Sequence, residues 1–461
     1  MASTTKPTSA AFPSKRPRKE PATKLGRFLK NLGPGLVTGA SDDDPSGIVT
    51  YTQAGSQFGL ATLWTALLTF PLMAAMQGMA ARIGLVTSQG LTGTLRTHYP
   101  RWLLYVVIVF CFPAVIMNIG ADIQGMGAVA NLLVPGIPAF SFSIFFTALL
   151  MFIIIRYPYQ KMAAILKWLC IGLLLYLIVP FLVHPNWGLV FRRTFLPEVH
   201  LNKEFLSILV AILGTTISPY LFFWQATMEV EDQQHQKQNK KRRKGMPAVV
   251  QTEDQQLRAH RTRKQRVFVD KRTLDNMRSD VNLGMFFSNL VMFFVILTAG
   301  AVLFTANIRQ IDTIEQAAKA LRPLAGNLSY TLFAIGVIGT GFLAIPVLAG
   351  SVSYMLAETM QFSMGLDKKF SEAKRFYGVI IVSLIAGLCM QFFGLSPVKA
   401  LLYTAILYGL TSPLLIALIL HIGNNKKIMG EHTNTRLSNI LGFLTFILMT
   451  AAAVGLIWFE V

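Results

Sequence analysis

The stretch TGASDDDPSGIVTYTQAG, residues 38–55, sets three consecutive carboxylates, Asp42, Asp43 and Asp44, beside a proline and a glycine in a segment otherwise fit for a lipid bilayer. The apolar halves on either side, LGPGLVTGAS and GIVTYTQAG, are each too short to cross a hydrocarbon core of about 30 Å alone, which puts the break within the membrane. The competing reading, an aqueous loop with the second half merely starting the next helix, fits these half-length flanks less well. A carboxylate at the bilayer centre costs about 2.5–3.5 kcal/mol. Three in a row are tolerable where the helix unwinds and lines a polar cavity. Pro45 removes one ladder hydrogen bond and Gly47 eases a non-helical turn, so carbonyls nearby are freed. Carbonyl and carboxylate oxygens together suit a hard cation.

The rest of the chain supplies the setting. Of 461 residues, 53% are hydrophobic and only 14% charged, well below the roughly 25% charged residues of a soluble domain. Apolar runs of about 20 residues recur near 32–56, 59–85, 102–133, 138–156, 162–184, 205–231, 280–305, 328–357, 376–394, 397–421 and 438–459. The pattern predicts an all-α integral membrane protein with about 11 transmembrane helices. It divides into a disordered basic cytoplasmic tail (1–30), a first repeat plus the sixth helix (31–232), a basic cytoplasmic loop (233–278) and helices seven to eleven (279–461).

The net charge of +20 is concentrated in the tail and in the central loop, which contains KQNKKRRKG (237–245) and RAHRTRKQR (258–266). Basic segments beside spans mark the cytoplasmic side and bind anionic lipid, so membrane lipid rather than nucleic acid is the expected partner. Short loops alternate between basic and uncharged, which predicts a cytoplasmic N-terminus and an outside C-terminus. Cys111, Cys170 and Cys389 fall in separate apolar runs and read as buried small hydrophobes.

The sixth span carries a second break, GTTISPY (214–220), offering Thr215, Thr216, Ser218 and Tyr220. Spans one and six are equivalent if one to five and six to ten are two repeats, and an odd number of spans per repeat makes them inverted. Paired broken helices in two such halves point to a binding site at the bilayer midplane. Hydroxyl, carbonyl and carboxylate ligands favour magnesium, calcium or manganese over copper, zinc or ferrous iron. For Ser218 the alternative is a hydroxyl bonded back onto its own helix. On the third span, Asn118 and Asp122 in MNIGADIQG share a face one turn apart, and Asp122 serves either a structural hydrogen bond or the permeation path. Glu229, Glu231 and Asp232 read as a solvated helix end and Glu358 as an interfacial charge.

GPGLVTGASDDDPSGIVTYTQAGSQFG (33–59), with AARIGLVTSQGL (80–91) after it, resembles the NRAMP divalent-metal transporters, and LGTTISPYLFFWQA (213–226) aligns with that family's Gly-Ala-Thr-Val-Met-Pro-His motif. The resemblance implies an inverted five-plus-five repeat of the leucine-transporter type with helices one and six broken. It implies that Asp44 is the metal-binding aspartate, that Gly47 stands in place of a ligand asparagine, and that Thr215 brings a backbone carbonyl to the metal. Ser218 replaces the methionine that favours softer transition metals, Tyr220 replaces a histidine, and Gln225 falls where a second histidine is usual. The family's proton-route carboxylates fall at Phe112 and Ile119, with an acid retained at Asp122. Loss of the thioether and of titratable groups is similar to the NRAMP-related magnesium transporters.

The expectation is therefore a secondary transporter importing Mg²⁺ and/or Mn²⁺ by alternating access. Asp44, Gly47, Thr215 and Ser218 form its metal site, and Asp42, Asp43, Tyr220, Gln225, Asn118 and Asp122 its surroundings or pathway. The alternatives are a proton-coupled Mn²⁺/Fe²⁺ transporter and, more distantly, an organic-solute symporter of the same fold. No nucleophile–base or histidine-rich signature points to an enzyme, and no cofactor is expected beyond the transported cation.

Overall fold

The computed structural model describes residues 34–158, 175–200, 202–243 and 269–460. The basic tail, Cys170, most of the expected fifth span and the core of the basic loop lie outside the described residues.

The first span is two helices, α1 (Pro34–Asp42) and α2 (Pro45–Phe58). Pro45 at the first turn of α2 needs no ladder donor there and has its φ preset for a helix. Asp44 is extended (φ −70°, ψ 172°) and caps α2 through its side chain, and Gly59, at φ +61°, ends it. α3 (Trp64–Thr87), the short α4 (Leu91–His98), α5 (Arg101–Leu133) and α6 (Ala139–Arg156) follow. After α7 (Leu175–Val183) and α8 (Trp187–Phe195), the sixth span is again two helices. α9 (Lys203–Thr216) is capped by Asn202 accepting the Phe205 amide at 2.9 Å, and α10 (Pro219–Arg243) restarts at a proline. α11 (Lys271–Ala299), α12 (Ser329–Met360), α13 (Lys374–Cys389), α14 (Pro397–Asn424) and α15 (Arg436–Glu460) complete the chain.

Among the described residues nine helices are long and apolar enough to cross a membrane. The broken first span and the partly described fifth bring the total to the expected eleven: two five-helix halves that each open on a broken helix, and one further helix, α15. The outward faces carry exposed Val109, Phe110, Phe145, Val382, Ile440 and Phe443, the surface that lipid covers. Cys389 is exposed, not buried as expected, because it follows exposed Ile385 by one turn on the outer face of α13; Cys111 is buried. Both flanks of the stretch read as a loop over 233–278 are helical, since α10 runs on to Arg243 and α11 begins at Lys271.

The halves around each break are held by backbone-to-backbone approach. α1 packs along α11, α9 along α14, and α5 against both α12 and α14. A Cβ on Gly39 would overlap the Gly284 carbonyl of α11, and one on Gly214 would overlap the Ala405 carbonyl and Gly409 amide of α14. Only glycine allows these crossings, which fix the ends of α1 and α9 where they face one another.

Candidate functional site

The two breaks meet at Gly47. A Cβ built there would stand 3.4 Å from the Asp42 carbonyl oxygen, 3.4 Å from Thr215 Oγ1 and 3.4 Å from the Tyr51 ring. The end of α1, the first turn of α2 and the end of α9 thus face a common point with no side chain between them. Tyr51 reinforces the junction, its hydroxyl lying 3.1 Å from Thr216 Oγ1.

Asp44 is the organising acid. Its Oδ1 accepts the Gly47 amide at 2.7 Å, and its Oδ2 accepts Asn118 Nδ2 from α5 at 2.8 Å. Each oxygen keeps a further lone pair. Asp42 Oδ2 accepts the Ser288 hydroxyl of α11 at 2.6 Å, with Asp43 Oδ1 3.4 Å from the same hydroxyl. All three aspartates are buried. Thr215 presents its carbonyl at the end of α9, where aligned peptide dipoles place partial negative charge. Ser218 donates to that carbonyl at 2.5 Å and lies 3.1 Å from the Gly214 carbonyl, so its proton is turned back onto its own helix. The structure thus sides with the alternative for the Ser218 proton and leaves only its lone pairs for a ligand.

The remaining expected residues divide into two groups. Tyr220 donates to the Ser41 carbonyl at 3.0 Å and Gln225 Oε1 accepts Thr38 Oγ1 at 2.5 Å; beside them Asp280, a residue the sequence did not single out, accepts the Gly35 amide at 2.6 Å. Together they tie α1 to α10 and α11. Asn118 and Asp122 lie on the other side, on α5, and both are buried. Two acids are corrected. Glu229 is buried and accepts Gln225 Nε2 at 2.9 Å. Glu358 is buried and accepts the Gly90 and Gly93 amides at 2.7 and 2.8 Å, where the N-terminus of α4 supplies unpaired donors to a carboxylate that sequence alone assigns to water.

Ser288 escaped the sequence reading. It is signalled only by the polar pair in MFFSNLVMFF (285–294). Among the described residues no group of three or more His, Cys, Asp or Glu is arranged to hold a metal ion. What the breaks offer instead is one organised carboxylate with backbone and hydroxyl oxygens, the donor set of a weakly held hard cation that keeps part of its water.

Comparison with known proteins bears on the family and the fold. A family profile described as "Natural resistance-associated macrophage protein-like" (Nramp) matches residues 35–459. The chain is 26% identical over 430 residues to the divalent metal cation transporter MntH of Caldanaerobacter subterraneus, covering 91% of each protein. It is 23% identical over 437 residues to MntH of Yersinia enterocolitica, covering 92% of this chain and 93% of the relative. A crystal structure of the Eremococcus coleocola manganese transporter shares the fold, with a TM-score of 0.69 at 18% identity over 96% of this chain and 88% of that one.

Ser288→Ala removes the hydroxyl that Asp42 accepts from and leaves a buried carboxylate oxygen unpaired, a loss of about 1–3 kcal/mol. Thermal unfolding of the purified protein should show a lower midpoint for the variant; an unchanged midpoint would mean that Asp42 does not depend on this bond.

Proposed function

The chain belongs to the Nramp family, and from that premise we propose that it is a secondary transporter carrying a divalent metal cation, Mg²⁺ or Mn²⁺, into the cytoplasm by alternating access. The observation that carries the reading is the meeting of two helix breaks at Gly47, with the Asp44 carboxylate, the Asp42 carbonyl and Thr215 around it.

In this reading Asp44 is the charged ligand. Its bonds to the Gly47 amide and Asn118 hold the carboxylate in one orientation while lone pairs on both oxygens stay open to the ion. Thr215 and Asp42 supply carbonyl oxygens, Ser218 steadies the Thr215 carbonyl and offers its own oxygen, and water completes the shell. Gly47 contributes space, not an oxygen. Asp42 and Asp43 raise the local concentration of cations and orient their water. A single organised charge suits cargo, because a site that must release its ion cannot bind as a closed cage does.

With the basic N-terminus in the cytoplasm, α1 is the cytoplasmic door. The Tyr220–Ser41, Thr38–Gln225 and Gly35–Asp280 bonds then hold the door shut and must break before the ion leaves. On that face anionic lipid is the partner we propose for the basic tail (1–30) and loop (233–278).

Two measurements check the assignment. Asp44→Ala should reduce Mg²⁺ and Mn²⁺ uptake into proteoliposomes to the level of protein-free vesicles, and uptake equal to wild type would overturn the site. Ser218→Met introduces a soft thioether at the break and should move selectivity from Mg²⁺ towards Mn²⁺ and Cd²⁺ by on the order of tenfold. A selectivity unchanged by that substitution would remove residue 218 from the ion's surroundings.

A further inference from the structure

α14 and α15 leave a groove between them that is polar at one end and apolar along its length. It measures about 560 Å³, within the roughly 300–1,000 Å³ of ligand pockets. Ala417, Leu420, His421 and Asn424 line it from one face of α14. Phe443 and Phe446 face them from α15. Gly442 lets the two helices close behind the groove, since a Cβ there would stand 2.6 Å from a Leu420 methyl carbon. A ladder of amides closes the polar end. Asn424 and Asn439 exchange both amide hydrogen bonds, at 2.9 and 2.8 Å, and Asn434 donates to Asn439 at 3.0 Å.

From Asn424 to Ala417 the groove descends about 10 Å along α14, the step from headgroup to acyl chain. The Tyr99 ring, 5.6 Å from that of His421, brings the junction of α4 and α5 to the polar end. Arg101 and Trp102 are exposed there, and a tryptophan so placed marks the membrane–water interface. Lys426, Lys427 and Arg436 are exposed too, Arg436 on the same stripe of α15 as Asn439, Phe443 and Phe446. Between His421 and Arg436 the only acid is Glu431. A positive rim over an apolar trough matches a phosphate headgroup with its chains. The basic tail (1–30) and loop (233–278) share the rim's sign, which disfavours them as occupants. A second copy would set like-charged rims face to face.

We propose that the groove between α14 and α15 seats one anionic glycerophospholipid, its phosphate against His421, Lys426, Lys427 and Arg436 and an acyl chain over Ala417 and Phe443. The lipid fastens α15, the helix outside the two five-helix halves, to α14. The seat is independent of the divalent-ion reading and stands whichever way the chain is inserted; only its cytoplasmic leaflet follows from the orientation proposed above.

The test is native mass spectrometry of the full-length protein, purified in detergent and titrated with phosphatidylglycerol or phosphatidylcholine. Wild type should hold a first phosphatidylglycerol at least about tenfold more tightly than phosphatidylcholine. The surface variant Lys426→Gln/Lys427→Gln/Arg436→Gln should lose that preference, since each base near a headgroup adds its own attraction. Ala417→Phe fills the trough, keeps every charge and should weaken phosphatidylglycerol binding by about tenfold. Thermal midpoints in lipid-free detergent separate lost binding from lost folding, and the surface variant decides alone if Ala417→Phe does not fold. Equal retention of the two lipids by wild type, or an undiminished preference in the surface variant, would overturn the seat. So would wild-type retention by a folded Ala417→Phe, which would put the lipid on the basic tail or loop. A wild-type dimer that Ala417→Phe dissociates would give the groove to a second copy and overturn it as well.

Discussion

One carboxylate holds the broken first helix in shape. Cutting a helix inside a membrane leaves backbone donors and acceptors that lipid cannot satisfy. At the start of α2 the buried Gly47 amide, which has no helical acceptor, is answered by Asp44 Oδ1, while Oδ2 reaches across to Asn118 on α5. The same side chain thus caps a helix, fastens it to the neighbouring bundle and presents negative charge at the gap. On the other side of the break, the Ser41 carbonyl takes the Tyr220 hydroxyl and Asp42 takes Ser288. The groups at the break are answered partly by the local cap and partly from α5, α10 and α11, which steadies both halves of the broken helix.

The glycines make that economy of bonds possible. Gly39 against Gly284, and Gly214 against Gly409 and Ala405, let backbones touch, so that short side chains such as Ser288 and Thr216 reach across the break. The helix ends also set the electrostatics. The C-terminal ends of α1 and α9 bring partial negative charge to the point that Gly47 leaves clear, and the positive end of α2 is already occupied by Asp44. Acid, carbonyl and hydroxyl oxygens therefore converge with one organised formal charge, which favours transient occupancy by a hydrated ion over a permanent structural metal.

The breaks themselves were legible in sequence, because acids, proline and glycine in a half-length apolar run admit few arrangements in a bilayer. The helix count followed from apolar run lengths, and the pairing of spans one and six from the proline and polar residues in the middle of each. The partners were not legible. Asn118 binds Asp44 across 74 residues and Ser288 binds Asp42 across 246, and nothing local marks either pairing. Ser218 was open to two readings, a ligand hydroxyl or one bonded back onto its own helix, and the freed carbonyls at the end of α9 take its proton. Glu358 looked interfacial because sequence cannot show that the N-terminus of α4 is packed against it. Long-range packing, not residue type, decided each of these.

The account turns on an ion held between the two breaks, and anomalous diffraction from crystals of the full chain grown with Mn²⁺ locates such an ion directly. The predicted result is a single strong peak within about 2.0–2.6 Å of Asp44 and the Thr215 carbonyl, lost in Asp44→Ala crystals. A strongest peak elsewhere, for instance at Glu229 and Asp280, with none at Asp44 would contradict the account.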